Sequence, residues 1–213
     1  SVDFDAIRKK LDRLSGTNRN RSLMWRPQEG EEHTVRLMSF PDNDGQPFKE
    51  LWFYYNIGNE RGLLSPYQFS DPDPIQELIT KLRDEGSKES YELAKKLYPK
   101  MRTYAPVVVR GEEDKGVQIW GFGKTVYQNL LGLMLDEDYG DITDAESGTD
   151  IVLNYDIPGT PGSFPKTTLK PRRRPSVLCD EAVTNCDELL ESVPDIGGLF
   201  ERKTAAELQA LLD

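Results

Sequence analysis

Six stretches of this chain carry the β-branched and aromatic residues of strands, and each is soon stopped by proline, glycine, aspartate or a polar cluster. They are His33 to Met38, Leu51 to Tyr55, Arg102 to Arg110, Val117 to Phe122, Ile151 to Ile157 and Phe164 to Leu169. Pro41-Asp42-Asn43-Asp44-Gly45 separates the first two as a long hairpin loop, the acidic turn Gly111 to Gly116 joins the third and fourth, and a Pro/Gly turn joins the last two. Short strands linked this way suit an antiparallel Greek-key arrangement better than a parallel α/β sheet.

Helical patterns punctuate the strands. Phe4, Ile7, Leu11 and Leu14 recur at helical spacing before Gly16, which predicts an amphipathic helix over residues 3 to 15 with a basic outer face, followed by a polar linker to about Arg21. Asp73 before Pro74 starts a second helix with an apolar face of Ile75, Leu78, Ile79 and Leu82, ended by Gly86. Ser90 to Leu97, ended by Pro99, completes a helical hairpin between strands. A further helix runs from Lys124 to about Leu135, and Thr204 with Glu207 forms a capping box for a last one. The expected fold is mainly β with α insertions: an OB-fold, a five-stranded Greek-key barrel, plus a small helical subdomain. Its parts are an arm at 1–20, the core at 21–200 with the helical insertion at about 73–99, and a C-terminal helix at 201–213.

The length of 213 residues suits one core with an elaboration. The net charge of −10 argues against a nucleic-acid ligand only if it is evenly spread, and it is not. Residues 1–110 hold 18 Lys/Arg against 17 Asp/Glu, and residues 111–213 hold 9 against 20. The acids crowd into Asp136, Glu137, Asp138, Asp141, Asp144, Glu146, Asp150 and Asp156. The cations cluster at Lys166, Lys170, Arg172, Arg173 and Arg174, and again at Arg8, Lys9, Lys10, Arg13, Arg19, Arg21 and Arg26. Such segregation points to a cationic groove on an acidic body. No stretch approaches the roughly eighteen apolar residues of a membrane helix, so no membrane partner is expected. Cys179 and Cys186 are too few for a disulfide framework and lack further thiols or histidines for a zinc site. They read as small buried apolar residues in a reducing, intracellular setting.

The chemistry that stands out is that of binding. Lys100 to Arg110 interleaves Lys100, Arg102 and Tyr104 on a strand, with Trp120 and Phe122 on the next, a pattern that stacks bases on rings and meets phosphates with cations. In Lys170-Pro171-Arg172-Arg173-Arg174-Pro175 the prolines keep four cations on an extended segment, which suits backbone-phosphate contact better than a core. Gly121-Phe122-Gly123-Lys124 offers amides at a helix start, without being a Walker motif. His33, the only histidine, reads as a half-buried strand residue. The carboxylates of residues 136–156 would serve a metal-dependent nuclease, the runner-up reading, yet no Asp-x-Asp or Glu-x-Lys strand element accompanies them.

The order of these pieces resembles the single-stranded DNA-binding, helix-destabilising proteins of T-even-like bacteriophages. The matching blocks are the helix ending Arg13-Leu14-Ser15-Gly16, the segment Val35 to Pro41 through Pro47-Phe48, Lys100 to Val109, Ile119-Trp120-Gly121-Phe122-Gly123-Lys124 and the Gly162-Ser163-Phe164 turn, spanning roughly residues 4 to 200. The resemblance implies an OB-fold core with a helical subdomain, no enzymatic activity, and binding of single-stranded DNA with little sequence preference in phage replication, recombination and repair. It also implies self-association along DNA, phage replication and recombination proteins as partners, and the cytoplasm of the infected bacterial host cell. Tyr104, Trp120 and Phe164 fall on the family's base-contacting aromatics, and Lys100 and Arg102 in its basic stretch. Lys124, Lys166, Lys170, Arg172, Arg173 and Arg174 complete the expected phosphate contacts.

Two departures qualify it. Where the family has a Cys-Pro-x-Cys ligand pair, Asp73-Pro74-Ile75-Gln76 stands here, so a form without zinc or other cofactor is expected, its helical hairpin held by leucines and isoleucines. A string similar to the family's basic arm, Arg202-Lys203-Thr204-Ala205-Ala206-Glu207-Leu208, lies at the other end. A third reading is an OB-like adaptor whose basic clusters meet acidic proteins.

Overall fold

The structure is a computed structural model that describes residues 1–14 and 23–213, the side chains of residues 9, 10 and 12–14 excepted. The linker from Ser15 to Arg21, with Arg19 and Arg21, and the side chains of Lys9, Lys10 and Arg13 therefore lie outside the described residues. Two compact units make up the protein: Ser1–Lys49 with Thr103–Leu199, and Glu50–Arg102 with Phe200–Asp213.

In the first unit, α1 (Phe4–Leu14) forms where the periodicity places it, with Phe4, Ile7 and Leu11 exposed. The strands are β1 (Met24–Trp25), β2 (Glu32–Leu37), β5 (Lys100–Val109, from Thr103 on), β6 (Gln118–Phe122), β7 (Ile151–Asp156) and β8 (Lys166–Pro171). They lie in the order β1-β6-β5-β2-β7-β8, antiparallel except for β1 beside β6. In the second unit β3 (Lys49–Tyr54, from Glu50 on) pairs antiparallel with β4 (Leu63–Leu64). The fold is mixed, its sheet open at β1 and β8. The closure that a five-stranded barrel requires is not among the pairings of the described residues.

Alternation along β5 explains why both faces of this sheet are dry. Ala105, Val107 and Val109 join Val35, Leu37, Trp120, Phe122, Ile151 and Leu153 on one face, covered by Val126 and Leu130 of α4 (Lys124–Leu135). Val108 points the other way, into a smaller core with Met38, Val117, Leu178 and Leu189. Leu189 lies on α5 (Cys186–Glu191), a helix that no periodic pattern announces because it is only six residues long.

Contrary to the expectation of two small buried thiols, Cys179 and Cys186 form a disulfide, with Cα atoms 5.7 Å apart. A turn, in which the N–H of Val183 donates to the carbonyl of Asp180 at 3.0 Å, folds the intervening residues back so that α5 starts beside Cys179. Two cysteines are too few for a framework, yet enough for one local tie, and cysteine usage then gives no ground for a reducing setting. The tie closes a small loop, so the Cys179→Ser/Cys186→Ser double variant should lose about 2 kcal/mol of stability in denaturant titrations under oxidising conditions. Equal stability would show that the bridge is not formed.

The second unit carries α2 (Pro74–Asp84), α3 (Lys88–Leu97) and α6 (Ala205–Leu212). Ile75, Ile79 and Leu82 of α2 are buried with Tyr54, Ile57, Leu63, Ala94 and Leu208. Asp73 is the N-cap: its Oδ1 accepts from the N–H groups of Ile75 and Gln76 at 3.0 and 3.2 Å. Its Oδ2 accepts from the Tyr54 hydroxyl at 2.7 Å, and burial pushes that hydroxyl's pKa well up. The capping box at Thr204 and Glu207 forms, and α6 lays a fully buried Leu208 against this helical core. The C-terminal helix thus belongs to the same compact unit as the hairpin of residues 73–99.

Candidate nucleic-acid interface

β8 is an edge strand, and its alternation decides what its two sides present. Lys166, Thr168 and Lys170 are exposed, whereas Thr167, Leu169 and Pro171 are half-buried. The strand begins two residues later than the sequence pattern suggests, which leaves Phe164 in the connecting loop with 86% of its surface exposed. Gly162, at φ 84°, makes the turn before it. Its ring is open on the surface, as is the equally exposed Leu135 of the same unit, so what sets Phe164 apart is the run of cations that follows it.

Beyond β8, Arg172, Arg173 and Arg174 are all exposed between the two prolines. The N–H of Arg172 donates to the Asp150 carbonyl at 2.9 Å, and that of Ser176 to the Gly148 carbonyl at 2.9 Å. Lys166, Lys170 and the three arginines therefore follow one another along a single edge, starting two residues after Phe164.

The other two expected stacking residues lie elsewhere. Trp120 is 2% exposed, its ring centroid 6.0 Å from that of Trp25 and 4.7 Å from that of Phe122. It is a core residue because β6 has neighbours on both sides, β1 and β5, and α4 covers that face. Tyr104 is 6% exposed and lies over its cross-strand partner Gly121. A Cβ on that glycine would stand 2.6 Å from the tyrosine ring, so glycine is what lets the ring lie on the strand. Neither ring offers a face to a base in this arrangement.

Lys124 is exposed at the first position of α4, whose N-cap, Gly123, supplies no side-chain bond to the amides of the first turn. Lys100 and Arg102 are exposed in the second unit, where burial raises the Tyr55 hydroxyl and the Arg102 charge pulls it part-way back. A groove of about 550 Å³ in that unit carries Asp71, Asp73, Glu77 and Asp84 against Lys81, the wrong sign for a phosphate chain.

The acidic segment proves to be largely structural. Asp150 accepts from Arg36 Nε at 2.9 Å and from Arg110 Nε at 3.1 Å. Arg36, wholly buried, also donates from Nη1 to the Asp144 carbonyl at 3.1 Å and from Nη2 to the carbonyl and hydroxyl oxygens of Ser176 at 2.5 and 2.6 Å. Burial lowers the guanidinium's pKa, and Asp150 opposes that shift. The Asp144 carboxylate accepts from the N–H groups of Glu146 and Ser147, and these bonds hold it below the usual carboxylate range. Nuclease chemistry would need these carboxylates facing an ion together, and among the described residues no group of three His, Cys, Asp or Glu is so placed. His33 is half-buried, its Nε2 accepting from the N–H of Gln28 at 3.0 Å.

Among the described residues no helix is long and apolar enough to cross a membrane. No family model matches this sequence, and no curated protein matches it.

Proposed function

We propose that this protein binds single-stranded DNA without sequence preference and without catalysis, along the edge formed by β8 and the arginines that follow it. The observation that carries the reading is the continuous run of Phe164, Lys166, Lys170, Arg172, Arg173 and Arg174, all exposed, on one edge of one unit. Lysines alone on an edge strand would be ordinary protection against strand-to-strand aggregation. Protection does not account for a bare phenylalanine or for three more arginines beyond the strand. Stacking a base on such a ring contributes roughly 1–3 kcal/mol whatever the base, and the cations meet successive phosphates.

The proposal extends to what the order of sequence blocks implies: an OB-type Greek-key architecture and roles in phage DNA replication, recombination and repair. Self-association along the strand, replication and recombination proteins as partners, and the host cytoplasm as the location belong to it too. Lys100, Arg102 and Lys124 are further phosphate contacts in this reading. A protein that prefers the single strand shifts the duplex equilibrium by mass action, which is helix destabilisation.

Phe164→Ala tests the stacking half. With its ring in water, this residue contributes little to folding, so thermal stability should change by less than about 0.5 kcal/mol. Affinity for oligo-dT should fall by roughly 5- to 150-fold. Unchanged affinity would remove Phe164 from the interface.

A further inference from the structure

Arg36 and Arg110 do something for the arginine run that their own charges cannot do directly. Arg36 is on β2 and Arg110 follows the end of β5, and both close their guanidinium groups on the segment that follows Arg174. Arg36 holds the Ser176 carbonyl, and Arg110 holds those of Leu178, from Nη1 at 2.7 Å, and Val177, from Nη2 at 3.0 Å. Asp150 lies between the two, bonded to each. The N–H of Leu178 donates to the Ala145 carbonyl at 2.8 Å, and the next residue, Cys179, is tied to α5. Gly148 sits at the base of this clamp, where a Cβ would collide with the carbonyl oxygens of Ile142 and Asp144 and stand 3.0 Å from Arg36 Nη1.

The consequence concerns the residues between the anchors. Arg172 is pinned to Asp150 and Ser176 to Gly148, so the backbone from 172 to 176 spans a distance that its partner covers from 148 to 150. The excess length must bow away from the sheet, and Arg173, Arg174 and Pro175 are exposed. We propose that Arg36, Arg110 and Asp150 are positioning residues that hold Arg172, Arg173 and Arg174 in a fixed bow, pre-set for successive phosphates. The idea rests on the proposed function, and it adds that affinity depends on arginines which never touch the ligand. Three arginines on a loose loop would lose rotamer and backbone freedom on binding, and a clamped bow has lost part of it already.

Arg110→Lys keeps the charge beside Asp150 but gives up the fork that reaches two carbonyls. The test is a cycle of four proteins, namely wild type, Arg110→Lys, the Arg172→Ala/Arg173→Ala/Arg174→Ala variant and the combination, each titrated with labelled oligo-dT at two salt concentrations. Arg110→Lys should weaken binding about two- to tenfold in the wild-type background and have no effect once the three arginines are gone. Trypsin cleavage after Arg172 and Arg173 should also be faster in the Arg110→Lys protein, as expected of a loosened bow. Equal losses in both backgrounds, or no loss in either, overturn the positioning role while leaving the function standing. If wild type does not bind oligo-dT, the functional reading falls and the positioning role falls with it. Should Arg110→Lys fail to fold, Ser176→Ala, which removes only the hydroxyl acceptor of Arg36, is read in the same cycle.

Discussion

Replacing Arg172, Arg173 and Arg174 together with alanine should weaken oligo-dT binding by roughly 10- to 100-fold at low salt, at up to about 1 kcal/mol per exposed ionic contact. The salt dependence should change with it. Each phosphate contact on a single strand contributes about 0.7 to the slope of log affinity against log salt, so three lost contacts flatten the slope by about 2. Folding should be spared, because all three side chains are exposed and the anchors on either side of them are backbone bonds. Arg172 gives up only a long contact of 3.5 Å to the Thr34 hydroxyl. Weaker binding with an unchanged slope would mean that the arginines shape the loop without meeting phosphates.

Asp150→Ala should have the largest effect on stability. The carboxylate serves two guanidinium groups, one of them wholly buried, so its removal leaves an uncompensated charge inside the fold. Breaking a buried pair from one side typically costs 3–5 kcal/mol, a large share of the roughly 5–15 kcal/mol by which a domain is stable. For a protein of this size the melting temperature should drop by about 10 °C. The acceptors left to Arg36, the Asp144 and Ser176 carbonyls and the Ser176 hydroxyl, cannot make up the difference, since they are dipoles and do not cancel a unit charge. A loss below about 1 kcal/mol would show that water reaches the site and solvates both arginines.

What the sequence discloses follows the range of the forces involved. Asp73-Pro74 and Thr204 with Glu207 mark helix starts by local bonds within three residues, and both form as the pattern predicts. The helical period of Val126 and Leu130 identifies a core face, because burial repeats with the geometry of the element. From Thr103 to Val109 every residue of β5 is buried, so no alternation marks a face there, and a segment read as a binding surface is core instead. Trp120 shows where that logic stops. Whether an aromatic on a strand faces the core or a ligand depends on what packs over that face of the sheet, and here Val126 and Leu130 of α4 cover it.

Arg36 is legible as an anomaly, a lone cation among Val35, Leu37 and Met38, but its partner is 114 residues away. No local rule connects that position to Asp150, which by pattern is one more member of an acidic loop. The disulfide escapes the sequence for a related reason. Composition says whether a framework of bridges is present, and a single tie depends on the turn between Cys179 and Cys186. In the candidate site, the cations of residues 166–174 are visible as charge and the exposure of Phe164 is not. It is set by β8 beginning at Lys166, just past that ring.

The most direct test of single-strand binding is the anisotropy of a fluorescein-labelled oligo-dT titrated with the wild-type protein at low and at moderate salt. Saturable binding that weakens with salt is expected, with a slope of magnitude about 3 to 4 if the five cations from Lys166 to Arg174 each meet one phosphate. The same curve should appear for a mixed-sequence strand of equal length. No change in anisotropy at the lower salt would contradict single-strand binding and favour an acidic protein partner for the basic edge.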